Sequence, residues 1–210
     1  PATEAVESDT PVVVMRKEYV PDTAGPGANR GGAAVRRDTY WLSDGEHLAI
    51  ALHAKEPSGI GVYGGQPGAT QAGWMFTPDI YDVAKEKRSL PIDDGVYAKS
   101  IPVSGMLDPK TKRLDPNGEY AYYASRQSWR APIGTTFRLQ TGGGGGWGNP
   151  LERDPERVKN DVRDEYVTIE GALRDYGVVI TGDPLNDPEG LKVDVEGTAK
   201  ARKNRALETA

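Results

Sequence analysis

A chain of 210 residues with a formal net charge of −5 and an apolar fraction of 37% has room for one sizeable domain with an appendage, and its low apolar content implies that a partner covers part of the surface. The acidic balance gives no footprint for nucleic-acid binding, and the longest membrane-like apolar run, Leu48 to Leu52, is far too short to span a bilayer. The absence of cysteine excludes disulfides, thiolate nucleophiles and zinc–thiolate sites. No signal peptide is recognisable, so a cytoplasmic location is the simplest expectation, and Pro1 fits either a processed N-terminus or a trimmed fragment.

With 26 glycines and 16 prolines, the chain reads as short strands separated by many turns. Residues 1–11 are polar and read as a tail. PVVVMRKEYV has the β-branched enrichment of a strand, and DTAGPGANRGG, residues 22–32, is a turn cluster. AVRRDTYWLSDG reads as a second strand closed at Asp44-Gly45, and EHLAIALHA as a third, together a β-meander. Residues 56–73 form an irregular loop, and about 70–134 carries no clear period, an irregular insertion within a β-rich region 12–141. Thr135 to Thr141 is a further strand.

Residues 142–210 change character. Asp154-Pro155 is a helix start, with Asp as N-cap and Pro at the first helical position. Val158, Val162 and Tyr166 form its apolar stripe. Thr168 caps a second helix with Ile169, Ala172, Leu173 and Tyr176 inward, and Gly177 supplies a left-handed stop. VVI and LKVDV are strands, and an Ala/Lys/Arg-rich terminal helix closes the chain. The expected fold is therefore α+β in one domain: short strands with long Gly/Pro-rich loops, then a helical hairpin, a strand and a terminal helix.

The chemistry-bearing motifs are few. Gly59, Gly61 and Gly64 match G-x-G-x-x-G, as do Gly143, Gly145 and Gly148, but neither opens a helix after a strand, as a dinucleotide site requires. No Gly-Lys-Ser/Thr follows the glycines, so the chain lacks a P-loop. His47 and His53 would sit roughly 20 Å apart on a strand, too far to share a metal, and no metal site is expected. Arg30, Arg36 and Arg37, flanking Gly31 and Gly32, and Arg153, just past the pentaglycine, combine guanidinium groups with bare amides, which suits anion capture as well as salt bridging. The run Gly142, Gly143, Gly144, Gly145, Gly146, with Trp147 as an apolar anchor, points to close backbone approach: another strand, a partner subunit or a ligand held by main-chain amides. No catalytic residue stands out.

GGGGGWGNPLERDPERVKNDVRDEYVTIEGALRDYGVVI resembles the C-terminal signature of the hydantoinase B/oxoprolinase family, a glycine run followed by Gly-x-Pro-x-x-Arg-Asp, a valine-rich helix and Asp-Tyr-Gly-Val-Val. DTAGPGANRGGAAVRR and YGGQPGA resemble two upstream segments of that family, in the same order. The sequence departs at Glu56-Pro57-Ser58-Gly59, where the family has Pro-Pro-Trp-Gly. The resemblance implies a C-terminal portion, with the family's metal-binding residues lying in an N-terminal half that this chain lacks. It implies a small subunit of a multisubunit, ATP-dependent, biotin-independent ketone carboxylase of acetophenone-carboxylase type, contributing part of the B-type body and the subunit interface. The alternatives are a split ATP-dependent cyclic amide hydrolase and a purely structural subunit. On this reading the chain binds no cofactor alone, and its complex uses ATP with Mg or Mn. Its partners are hydantoinase A-type ATP-binding subunits and the N-terminal B-type piece, without nucleic acid or membrane.

Overall fold

The computed structural model describes residues 2–48, 52–87, 89–122 and 128–208. In chain order these form helix α1 (Thr3–Asp9), strands β1 (Val12–Tyr19), β2 (Val35–Trp41), β3 (Gly45–Leu48) and β4 (Ala72–Phe76), and helices α2 (Ile80–Glu86) and α3 (Asp94–Ala98). Strands β5 (Ile101–Leu107), β6 (Glu119–Tyr122), β7 (Ser128–Ala131) and β8 (Thr136–Gln140) follow. Helices α4 (Pro155–Arg163) and α5 (Ile169–Tyr176), strands β9 (Val179–Thr181) and β10 (Lys192–Asp194), and helix α6 (Val195–Glu208) complete the α+β fold.

Two compact units form. The first takes residues 1–18, 35–56 and 70–141; the second takes 19–34, 57–69 and 142–210.

The first unit is built on a six-stranded sheet in the order β1-β2-β8-β4-β5-β6. Its central strand, AGWMF, is buried at every position, because both faces of the sheet are covered. Trp74, Phe76 and Ala72 pack with Ile80 and Ala84 of α2 and Val96 and Tyr97 of α3. Met75 and Val103 on the other face pack with Ala131 and Trp129 of β7, which pairs antiparallel with β3.

Several expectations are corrected by this sheet. Residues 70–134 are not an irregular insertion: they supply β4, β5 and β6 of the main sheet. They escape a period-2 reading because a strand buried on both faces does not alternate, and because Pro102 and Gly105 (φ +132°) interrupt β5. The meander also fails. β3 leaves the main sheet to pair with β7, and β2 takes β8, about 100 residues downstream by its Asp38–Arg138 register, as its antiparallel neighbour. The middle of the expected third strand, residues 49–51, lies outside the described residues, and its end, Leu52 to Ala54, is not strand. Residues 3–9, expected as a tail, form α1.

In the second unit, α4, α5, β9 and β10 enclose a core of Val158, Val162, Val167, Ala172, Tyr176, Val178, Ile180 and Leu191. Asp154 caps α4 by accepting from the Glu156 amide, and Thr168 caps α5 by accepting from the Gly171 amide. Gly177 ends α5 in the left-handed region at φ +62°. Leu173, expected inward, is 45% exposed, and Tyr166 lies past the end of α4. The C-terminal helix is tied down by polar contacts: the Val179 amide donates to Thr198 Oγ1, and Arg202 donates to the Tyr176 and Arg153 carbonyls.

Candidate functional site

Of the residues singled out from sequence as anion, ligand or interface candidates, Arg36 and Arg37 fall in the first unit and the rest in the second. There the pentaglycine threads between the two other glycine-rich segments, around residues 23–32 and 58–69. The segments meet backbone to backbone. A methyl group on Gly143 would overlap the Thr23 carbonyl oxygen, one on Gly146 the Pro26 carbonyl, and one on Gly145 the Gly61 amide. The requirement is reciprocal, since a methyl group on Gly31 would overlap the Gly144 carbonyl. As at the axis of collagen, side chains are excluded here by neighbouring main chain. Gly32 differs: nothing lies within 4 Å of where its Cβ would be.

Three of the five amides of the run donate within this bundle. Gly143 N–H donates to Ala69 O (2.9 Å), Gly144 N–H to Gly32 O (2.8 Å) and Gly146 N–H to Gln66 O (2.9 Å). Trp147 and Asn29 exchange both backbone bonds at 2.9 Å, and Gly148 N–H donates to Val62 O. An anion cradle needs amides that point at the ligand and are otherwise free; these are engaged. The two G-x-G-x-x-G matches thus pack on one another, a methyl group on Gly59 overlapping the Gly145 amide. Where sequence left open a strand, a partner subunit or a ligand for the glycines, the structure places two other segments of the same chain, both outside the named strands.

The arginines are similarly committed. Asp161, buried on α4, accepts from Arg30 Nε (3.1 Å) and from Arg153 Nε (3.1 Å) and an Arg153 terminal nitrogen (2.8 Å). Arg153 also donates to Ala28 O, and Arg30 to Gly31 O. Arg30 lies 4.4 Å from the Tyr166 ring centre and Arg153 6.0 Å from that of Tyr176, whose hydroxyl pKa is pushed up to about 12 by burial. Two guanidinium groups share one carboxylate, so the cluster clamps the 28–31 segment to α4.

Sequence reasoning missed two residues of this arrangement. Asp161 sits among the apolar-stripe positions Val158 and Val162 of α4, and a charge on the buried side of a helix is a signal for a buried partner. Asp22, in the left-handed region at φ +59°, accepts from the Thr168 amide and from Thr168 Oγ1 (2.6 Å). It joins the 19–34 segment to the start of α5.

In the first unit, the Arg36 side chain bonds Glu18 (3.0 Å). Asp38 and Arg138, both fully buried, form a bidentate pair at 2.8 and 2.7 Å. His47 is enclosed by Trp41, Phe137 and Trp129 at ring-centre distances of 4.3, 4.7 and 6.0 Å, and burial pushes its pKa below the usual imidazole value. His53 is exposed and takes a left-handed conformation (φ +58°). An open cleft of ≈ 500 Å³ is lined by Asp44, Glu46 and Arg130 among others; it holds none of the residues singled out from sequence. Among the described residues no group of three His, Asp or Glu side chains could hold a metal, and no helix is long and apolar enough to cross a membrane.

The hydantoinase B/oxoprolinase family model matches residues 1–150, and the chain belongs to that family. It is 31% identical over 201 residues to the putative B-type subunit of the D-/L-hydantoinase of Pseudomonas sp. (strain NS671), covering 95% of this chain and 26% of that one. It is 30% identical over 182 residues to the beta subunit of the caprolactamase of Pseudomonas jessenii, covering 85% and 25%. Among solved structures, nucleotide-free acetone carboxylase shares the fold over 100% of this chain and 26% of its own, with a TM-score of 0.67 at 23% identity. The chain spans about a quarter of the length of these relatives.

Proposed function

We propose that this chain is one portion of the B-type body of an ATP-dependent, hetero-oligomeric enzyme that opens a cyclic amide, and that it acts as scaffold for the reaction. The observation that carries this reading is the engaged state of its candidate groups: the amides of Gly143, Gly144 and Gly146, and the side chains of Arg30 and Arg153, bond within the chain, whose relatives are named as hydantoinase and caprolactamase subunits. The cyclic-amide substrate class rests on those two relatives, each at 30% identity or above.

On this reading an A-type subunit holds ATP and its Mg or Mn and phosphorylates the carbonyl, and the complete B-type body supports hydrolysis of the activated amide. The described residues of this chain do not fit the metal, since they offer no cluster of ligands, and no P-loop is present for the nucleotide. The complex operates in the cytoplasm. A second reading, ATP-dependent carboxylation of a ketone, is favoured by the departure at Glu56-Pro57-Ser58-Gly59 from the hydantoinase-like Pro-Pro-Trp-Gly.

The test is an ATPase assay on the complex purified with this chain, with hydantoins, lactams and oxoproline, and separately with acetone or acetophenone plus bicarbonate. Lactam-dependent turnover without bicarbonate supports the proposal. Bicarbonate-dependent turnover on a ketone replaces it with the second reading.

A further inference from the structure

The glycine bundle carries an apolar surface that its own fold does not cover. Trp147 is 51% exposed, Val62 49%, Ile60 73% and Tyr63 82%. Tyr63 and Trp147 meet edge to face at 5.9 Å, and Val62 forms a parallel bridge with Trp147. Trp and Tyr are the side chains most often found as anchors at the centre of protein interfaces, and clustered exposure of this kind marks a surface that binds something.

The surface is also held rigid. The Val62 amide donates to Gly146 O, its carbonyl accepts from Gly148 and Gly65, and Trp147 is locked to Asn29 by two backbone bonds. Tyr63 occupies the left-handed region at φ +52° between Gly61 (φ +75°) and Gly64 (φ +90°). A bulky residue seldom adopts that conformation, and here it projects an aromatic ring into solvent. Asn29, hydrogen-bonded by Arg157, gives Trp147 a polar neighbour of the sort that rims an interface core. Anchors presented on a pre-ordered backbone lose little freedom on docking.

We propose that Ile60, Val62, Tyr63 and Trp147 form the surface on which the remaining portion of the hydantoinase B-type body docks. Chain length points to this occupant. The hydantoinase-subunit relative aligns with 95% of this chain but with 26% of its own sequence, so about three quarters of such a body lies outside this portion and is available to cover it. The proposal rests on the functional reading above, and its test separates the two.

The tagged full-length chain is purified from its native host, and co-purifying polypeptides are identified by mass spectrometry. Hydroxyl-radical footprinting then compares Trp147 and Tyr63 in the complex and in the free chain. With a B-type polypeptide bound, oxidation of both residues is expected to fall at least fivefold, while exposed Leu185 is unchanged. The pair Tyr63→Ser and Trp147→Ser is expected to weaken the complex at least tenfold with an unaltered circular dichroism spectrum, and Leu185→Ser to leave it intact. A B-type polypeptide that binds while Trp147 and Tyr63 stay fully labelled overturns the docking surface and leaves the functional reading standing. Protection by a second copy of this chain overturns the docking surface in the same way. Purification without any B-type polypeptide overturns both.

Discussion

At the residue scale, two kinds of glycine stand side by side. Gly143 is needed because a Cβ there meets the Thr23 carbonyl, whereas Gly32 has open space and no left-handed backbone. Gly143→Ala is expected to destabilise the second unit by about 1–3 kcal/mol, the usual cost of forcing atoms into a packed site. Gly32→Ala is expected to be neutral, or to stabilise by up to about 1 kcal/mol through the unfolded chain. Urea unfolding of the two variants checks both; equal effects would mean that the bundle is not packed as described. His47 provides a second test. Burial lowers its pKa, so the unfolded state binds its proton more readily than the folded state. Its contribution to stability is present above the ordinary value of about 6.5 and is lost as pH falls through that value toward the folded pKa. The melting temperature should therefore fall between pH 7 and pH 5 more steeply in the natural chain than in His47→Phe, which keeps a ring among Trp41, Trp129 and Phe137.

At the element scale, the caps were readable because they are local. Asp154-Pro155, Thr168 and Gly177 mark helix ends through bonds to residues at most four positions away, and each serves as expected. Thr168 does more than its sequence position shows. It caps α5 and also donates to Asp22, 146 residues away in sequence. Thr168→Ala should cost about 1–2 kcal/mol, the upper end for a lost N-cap, and Thr168→Ser should restore most of it. Amide exchange at Gly171 and Ala172 would report the loss directly, and an unchanged exchange rate in Thr168→Ala would remove the capping role. By contrast, β4, buried on both faces, and β5, broken by Pro102 and Gly105, gave no period to read.

At the scale of the whole molecule, the first unit is a sheet covered on both faces and the second a glycine bundle with an α/β core. Neither unit brings together, among the described residues, a cluster of metal ligands, and the chain spans about a quarter of its relatives. The isolated chain is expected to hydrolyse no ATP with any lactam or ketone, whereas the complete assembly does so. ATP turnover by the pure chain would mean that it holds a nucleotide site of its own.

By itself the sequence determined the local and periodic features: the helix starts and stops of the second unit, strands β1, β2 and β8, the exclusion of P-loop and thiolate chemistry, and the family signature. These depend on side chains within one turn or on patterns repeated every few residues. Tertiary structure decided that the five glycines face two other glycine-rich segments, that Arg30 and Arg153 converge on Asp161, and that residues 70–134 complete the sheet. Each of these joins groups from distant parts of the chain. A bare backbone or a lone arginine looks the same in sequence whether its partner is a phosphate or the chain itself, and the difference lies in which amides and charges are already satisfied.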